Sequence, residues 1–207
     1  MSQQNTTMSD KLKGQKFSAS ELNNLNQTIN NNADDAEQRL ANVEGKIFGR
    51  VGFVDYNDTA TSVTPVTLPA DTWVDIPNDG LGAFTNTTYA PNGVTNILTP
   101  EGYIDCSEFD LGDLILIRAD FTVFPTINNA LVHFRYGLGG NPNEYELPKL
   151  GVRLDDGAGE PYRQAVAADF VYMGDTNTND NTVRLQAKLS SGGTLVNAGM
   201  AIGIIKR

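Results

Sequence analysis

The spacing of apolar residues changes near residue 49, and this change divides the chain into two regions. From Leu22 to Ile47, apolar side chains recur at alternating steps of four and three, the spacing of one face of an α-helix. From residue 50 onward, apolar and polar side chains alternate in short runs, as they do in strands with one buried face. The sequence therefore predicts an N-terminal arm over 1–17, a helix over 18–48 and a β-domain over 49–207.

The start of the helix is marked by a capping box. Ser18 can accept a hydrogen bond from the first turn, and Glu21 can reach back to the Ser18 amide. Phe17 and Leu22 occupy the positions of a hydrophobic staple. Residues 1–16 show no hydrophobic period, so we expect an arm that is disordered alone or is ordered by a partner.

The predicted helix carries a narrow seam of apolar residues on an otherwise polar surface. A seam of this width is typical of a parallel coiled coil, in which Asn26 would fix the register and the number of strands. The alternative is a single amphipathic helix lying on the β-domain, although such a helix ordinarily has a wider apolar face. The seam positions are Leu22, Asn26, Ile29, Ala33, Ala36, Leu40, Val43 and Ile47.

Short strand patterns separated by Gly- and Asn-rich turns fill the rest of the chain, and no second helix is predicted. This pattern is typical of a β-sandwich or jelly roll. The predicted strands are 50–54, 61–68, 72–77, 94–98, 102–105, 114–124, 130–137, 150–154, 164–173, 182–189 and 194–205.

Two of these strands differ in their faces. The strand 182–189 alternates without a break, which indicates one buried and one solvated face. The strand 194–205 is apolar on both faces, so we expect a neighbouring subunit to cover one of them. The predicted interface residues of this strand are Val196, Ala198, Met200, Ile202 and Ile204.

Composition excludes several classes of function. The formal net charge of −10 argues against a surface that follows phosphate backbones, so we expect no nucleic-acid partner. No apolar run reaches about 18 residues, and the first 16 residues are too polar for a secretory signal, so we expect no membrane insertion. The single cysteine, Cys106, cannot form an intrachain disulfide.

Candidate catalytic residues are few, and we expect neither enzyme activity nor a cofactor. His133 is the only histidine and is predicted on the wetter face of its strand. Cys106 follows an aspartate, which raises a thiol pKa, so a packing role is favoured. The acidic cluster Asp155, Asp156 and Glu160 contains glycines, which indicates a turn rather than the opposed carboxylates of a glycosidase.

The segment from Asp175 through Asn177 and Asn179 begins like a calcium loop. However, Asp180 stands where such a loop needs glycine, and Gln186 stands where it needs glutamate. An Asn-rich turn is therefore favoured, and no metal site is predicted.

Loops 138–148, 155–162 and 174–181 supply the candidate ligand contacts. Tyr145 and Tyr162 are suited to stacking on sugars, and the amide side chains nearby are suited to hydrogen-bonding them. The sequence therefore offers these two tyrosines as candidate glycan contacts.

The order of a coiled coil and a sandwich with a doubly apolar last strand resembles the trimeric jelly rolls of the tumour necrosis factor and complement type. In that architecture the last strand lies centrally in the inner sheet, beside the three-fold axis. The N-terminal segment of this chain also resembles that of many bacteriophage tail-fibre and head-fibre proteins. The segment is KLKGQKFSASELNNLNQTINNNADDAEQRLANVEGKI. The head segments WVDIPNDGLGAFTN and LGDLILIRADFTVFP also resemble the sandwich heads of such virion proteins.

The resemblance implies a homotrimeric virion fibre, assembled in the bacterial cytoplasm and displayed on the virion surface. Its arm would attach to capsid or tail proteins, and its head would contact host-surface glycans. Two alternatives remain open at this point, a decoration protein that stabilises the capsid lattice and a carbohydrate-active enzyme with a trimeric sandwich.

Overall fold

The structure, a computed structural model, describes residues 16–140 and 144–207. The predicted arm lies outside the described residues except at its last two positions. The chain divides into two compact units between Lys46 and Ile47, two residues before the predicted end of the helix.

The first unit contains the helix α1, Ala19–Phe48, except for its last two residues. The capping box is confirmed, because the Ser18 amide donates to Glu21 Oε2 at 2.9 Å and the Glu21 amide donates to Ser18 Oγ at 3.3 Å. These two bonds satisfy amides that the first turn of a helix leaves without partners. In the described residues, no helix is long and apolar enough to cross a membrane.

The second unit contains ten strands and two single-turn helices within the described residues. They are β1 Val51–Asn57, α2 Ala60–Val63, β2 Val66–Leu68, β3 Val74–Asp75, β4 Ile104–Asp105, β5 Leu114–Pro125, β6 Ala130–Leu138, β7 Tyr145–Leu154, β8 Tyr162–Tyr172, α3 Thr176–Asn179, β9 Thr182–Leu189 and β10 Gly193–Ile205.

The strands form two five-stranded antiparallel sheets, which pack as a sandwich. Sheet I has the order β1-β10-β5-β8, with β2 also pairing with β10. Sheet II has the order β3-β9-β6-β7, with β4 also pairing with β9. The last strand, β10, therefore lies inside sheet I rather than at its edge, and the predicted mainly-β sandwich preceded by a helix is confirmed.

Side chains from both sheets meet in one core. The rings of Phe121 and Phe134 stack between the sheets with centroids 5.0 Å apart. Tyr136 also crosses the core, where its hydroxyl donates to the Ile117 carbonyl at 3.2 Å. Burial raises the pKa of Tyr136, because the phenolate would lose its hydration inside the sandwich. At one edge an ion pair between Lys149 of β7 and Asp169 of β8 joins the two sheets.

The predicted strand 94–98 is wrong, and the predicted strand 61–68 is right only over β2, Val66–Leu68. Residues 60–63 form the single turn α2, because the Asp79 carboxylate accepts the amides of Thr59 and Ala60 at the start of that turn. Residues 94–98 contribute only an isolated bridge between Leu98 and Ile104. The prediction of no second helix is likewise corrected by α2 and by α3.

The predicted interface residues of the last strand do not share one face of β10, so that prediction is corrected. The pairing of β10 with β5 shifts register between Asn197 and Gly199, so Ala198 is an extra residue in a β-bulge. The bulge places Leu195, Met200, Ile202 and Ile204 together on the inner face, where the core of the same chain buries them. Val196 is half-buried and Ala198 is exposed on the other side. Met200, Ile202 and Ile204 therefore need no neighbouring subunit.

Candidate interaction surfaces

The outer face of sheet I carries an apolar band made of two rows of side chains. The first row is Val51, Ile205, Leu114 and Tyr172, which are partners in register across all four strands. The second row is Phe53, Gly203, Leu116 and Phe170, paired in the same way. We refer to these eight residues as the apolar band.

The apolar band is open to solvent in the single chain. Between 42% and 60% of the surface of Val51, Phe53, Phe170, Tyr172 and Ile205 remains exposed. The next row along the sheet contains Asp55 and Arg118, and Arg118 forms an ion pair of 2.8 Å with Asp120 of the row after it. An exposed apolar patch with a polar border is typical of a surface that contacts another protein.

The apolar seam of the helix α1, which we call the stalk seam, is exposed in the single chain as well. Leu22, Ile29, Leu40 and Val43 retain between 46% and 58% of their surface. The side chain of Ile47 lies outside what the structure describes. Among the described residues of the first unit, nothing covers the apolar seam of α1, so the described coiled-coil positions are open to solvent.

A groove of about 460 Å³ lies where β7 and β8 approach each other. Tyr145 keeps 63% of its surface exposed and lines the groove with Phe170 and Tyr172. Asp175 and Thr178 also line the groove and supply polar groups. The sequence pointed to Tyr145 through its loop, whereas Phe170 and Tyr172 join the groove because β8 packs beside β7.

Tyr162 is not a surface contact, and its predicted glycan role is wrong. Only 8% of its surface is exposed. Its hydroxyl accepts hydrogen bonds from the amides of Asp156 and Gly157, at 3.0 Å for Gly157. Tyr162 therefore fixes the acidic turn 155–161 rather than facing a ligand.

The other residues considered for catalysis or metal binding have structural roles. Cys106 is fully buried, and burial together with the nearby Asp105 raises the pKa of its thiol to about 12. Asp175 caps α3 by accepting the Thr178 amide at 2.8 Å, so the calcium-like segment forms a turn, as expected. Among the described residues, no group of three acidic, histidine or cysteine side chains is placed to hold a metal ion.

The outer face of sheet II carries a row of paired charges that the sequence did not reveal. Gln186 links Arg135 and Asp75, at 2.6 Å to each. Arg135 also pairs with Glu146, while Arg184 pairs with Asp75 at 3.4 Å and with Glu144 at 2.5 Å. These residues come from four different strands and one loop, so no local pattern could bring them together.

Comparison with known proteins gives a fold neighbour and no family. No protein-family model matches the chain, and no curated protein matches its sequence. Among solved structures, the chain is similar to a CBM22-1 xylan-binding domain from Paenibacillus barcinonensis, with a TM-score of 0.33 and 8% sequence identity. The similarity covers 49% of this chain and 62% of that domain.

Proposed function

We propose that this chain is a homotrimeric structural protein of a bacteriophage particle, in the form of a fibre. Its N-terminal arm attaches to capsid or tail proteins, and its head contacts host-surface glycans. The protein acts without catalysis or a cofactor, is assembled in the bacterial cytoplasm, and stands on the virion surface. The resemblance of the stalk and head segments to phage fibre proteins supports the virion assignment.

The apolar band on sheet I is the main observation that supports the proposed trimer. A second protein surface that removes the exposed side chains of the band from water lowers the free energy of the system. The row beyond it is charged, so the contact is limited to the two apolar rows. The band lies on the outer face of the sheet that holds the last strand at its interior, which agrees with the trimeric jelly roll inferred from the sequence.

The stalk seam favours other copies of this chain as the partners. A helix of 30 residues with a narrow apolar seam and a polar remainder gains little stability alone, and its seam spacing is that of a coiled coil. The first band residue, Val51, comes three residues after Phe48, the last residue of α1. Only Gly49 and Arg50 separate α1 from the first residue of the apolar band in the chain.

Sedimentation of the purified full-length protein tests the trimer. We expect a species of three times the chain mass of 22.4 kDa that persists on dilution. A single species at the monomer mass would remove the basis of the proposal, since both apolar surfaces would then be stable in water.

Labelling of phage particles tests the virion assignment and separates it from a decoration role. Gold-labelled antibodies against the head are expected to bind purified particles, and purified protein is expected to block adsorption to host cells. Particles that lack the protein, still adsorb and lose heat resistance would instead indicate a capsid decoration protein. Unlabelled particles would refute both.

Tyr145 remains the proposed glycan contact of the groove, because an exposed tyrosine beside polar groups suits a sugar face. The groove lies at the margin of the apolar band, since Phe170 and Tyr172 belong to both. We expect Tyr145→Ala to stay trimeric and to block adsorption less well than the unchanged protein. Equal blocking by the two proteins would remove Tyr145 from the contact.

A further inference from the structure

The outer face of sheet II holds a second row of side chains, next to the row of paired charges. His133 of β6 pairs with Lys188 of β9 and with Gly151 of β7. Trp73 immediately precedes Val74, the residue that pairs with Ala187, so Trp73 continues the row beside Lys188. This face points away from sheet I, and a neighbouring copy seated on the apolar band leaves it open.

A pocket of about 260 Å³ opens along this row. Trp73, His133, Pro148, Gly151 and Lys188 are among the residues that line it. Glycine at 151 makes the space, because a Cβ there would stand 3.0 Å from His133 Nδ1 and 3.1 Å from its Cε1. The volume is below the roughly 300–1,000 Å³ of drug-sized sites, so it suits one sugar residue.

The cations of the pocket differ from those of the neighbouring row. The Lys188 ammonium lies 5.2 Å from the centre of the Trp73 ring, and the Arg135 guanidinium lies 4.2 Å from it. Arg135 is paired with Glu146, whereas Lys188 has no carboxylate within 4.0 Å in the described parts of the chain. A cation held on an aromatic ring keeps its N–H donors for other groups.

His133 adds a second donor without an internal partner. Over residues 16–140 and 144–207, its ring makes neither an ion pair nor a hydrogen bond with the protein. The two groups stand next to each other in register, on a chain whose net charge is −10. An arrangement of this kind favours an anionic group over a neutral one, because the charges of the remaining face are already matched.

We propose that this pocket binds the carboxylate of an acidic saccharide. Lys188 holds the carboxylate, His133 donates beside it, and the rings of Trp73 and Pro148 contact the sugar C–H groups. This inference rests on the proposed contact with surface glycans and names the class of glycan. Three copies joined through one stalk would raise the overall affinity for a surface with many saccharides, because each further site binds at a high effective concentration.

Fluorescence provides a clean measurement, because Trp73 is the only tryptophan in the chain. The full-length protein is titrated with galacturonic acid, galactose and inorganic phosphate at constant ionic strength. We expect a saturable change with galacturonic acid, no change with galactose, and weaker binding of phosphate. His133 is the only histidine, so its ring signals in NMR should shift in the same titration.

Two variants test the residues. Lys188→Gln is expected to weaken galacturonic acid binding about tenfold, the usual cost of losing a hydrogen bond to a charged group. Gly151→Ala narrows the pocket and is expected to abolish the saturable change while circular dichroism stays the same. Lys16→Gln removes the same charge from an exposed residue before α1 and should leave binding unchanged.

Absence of a saturable response to galacturonic acid, or unchanged affinity in both pocket variants, would overturn the proposal. Phosphate binding as tight as that of galacturonic acid would overturn the saccharide assignment. The trimer is measured separately by sedimentation, so a trimer with a silent pocket refutes only this inference. A monomer that binds galacturonic acid refutes only the fibre assembly.

Discussion

At the scale of single residues, identical side chains take opposite roles because of their surroundings. Tyr145 and Tyr162 are the first residues of β7 and β8, yet the first is exposed and the second is buried. The hydroxyl of Tyr162 accepts two backbone amides of the turn that precedes β8. Sequence alone shows that each is a tyrosine near a loop, and only the packing decides which one meets solvent.

Replacement of Tyr162 by phenylalanine tests its role in the turn. We expect Tyr162→Phe to lower the free energy of unfolding by about 1 kcal/mol, because the amides of Asp156 and Gly157 lose their acceptor. Urea denaturation measures the change. Tyr145→Phe removes the same atom from an exposed ring and should have no effect, and equal losses in both variants would contradict the assignment.

The burial of the Cys106 thiol leads to a second prediction at the residue scale. Because burial raises the pKa of Cys106 to about 12, almost no thiolate exists near pH 8. We expect the folded protein to resist thiol reagents such as Ellman's reagent and to react with one equivalent in denaturant. Rapid modification of the folded protein would show that Cys106 is accessible.

At the scale of elements, β10 shows how one extra residue changes the meaning of a pattern. Its apolar residues suggest strict alternation from Val196 to Ile204, which would place them all on one side. The bulge at Ala198 instead turns Met200, Ile202 and Ile204 to the same side as Leu195. The apolar residues that remain outside, above all Ile205, then join side chains of β1, β5 and β8 in the apolar band.

This sidedness predicts different outcomes for substitutions on the two faces of sheet I. Ile202→Asp places a charge in the core and is expected to cost at least about 4 kcal/mol, which prevents folding of the head. Phe170→Ser is expected to leave the head folded but to shift the protein toward smaller species in sedimentation. Phe84→Ser changes a more exposed phenylalanine outside the apolar band and should leave assembly intact. A folded Ile202→Asp protein would contradict the inner placement.

At the scale of the whole molecule, the head is a sandwich whose two sheets have different outer faces. Sheet I presents the apolar band, and sheet II presents matched charges with a pocket beside them. The ion pair between Lys149 and Asp169 closes one edge between the sheets. The hydrogen bond from Lys149 holds the pKa of Asp169 below its ordinary value.

That lowered pKa predicts how the edge responds to acid. A carboxylate with a lowered pKa stabilises the folded state above its unfolded value of 3.8, and this contribution is lost as the pH falls below it. We expect Asp169→Asn to lower stability by about 1 kcal/mol or less at pH 7, since the carboxylate is 42% exposed. Thermal unfolding of both proteins should converge as the pH falls below 3.8. A constant difference across this range would argue against the ion pair.

The sequence by itself determined what depends on neighbouring residues. The capping box at Ser18, the stalk helix, the strand 182–189 with its buried face, and the mainly-β head all follow from local hydrogen bonds and the period of apolar residues. These features rely on contacts within a few positions, which a pattern along the chain records directly.

Tertiary structure alone decided what depends on distant partners. The row from Asp75 through Gln186 joins residues 111 positions apart, and the apolar band combines four strands in register. The period of apolar residues indicates which residues share a face of a strand. It does not indicate which strands pair with that strand or where a bulge lies. Both candidate interaction surfaces of the β-domain arise from strand pairing, and for this reason the pattern of residues could not reveal them.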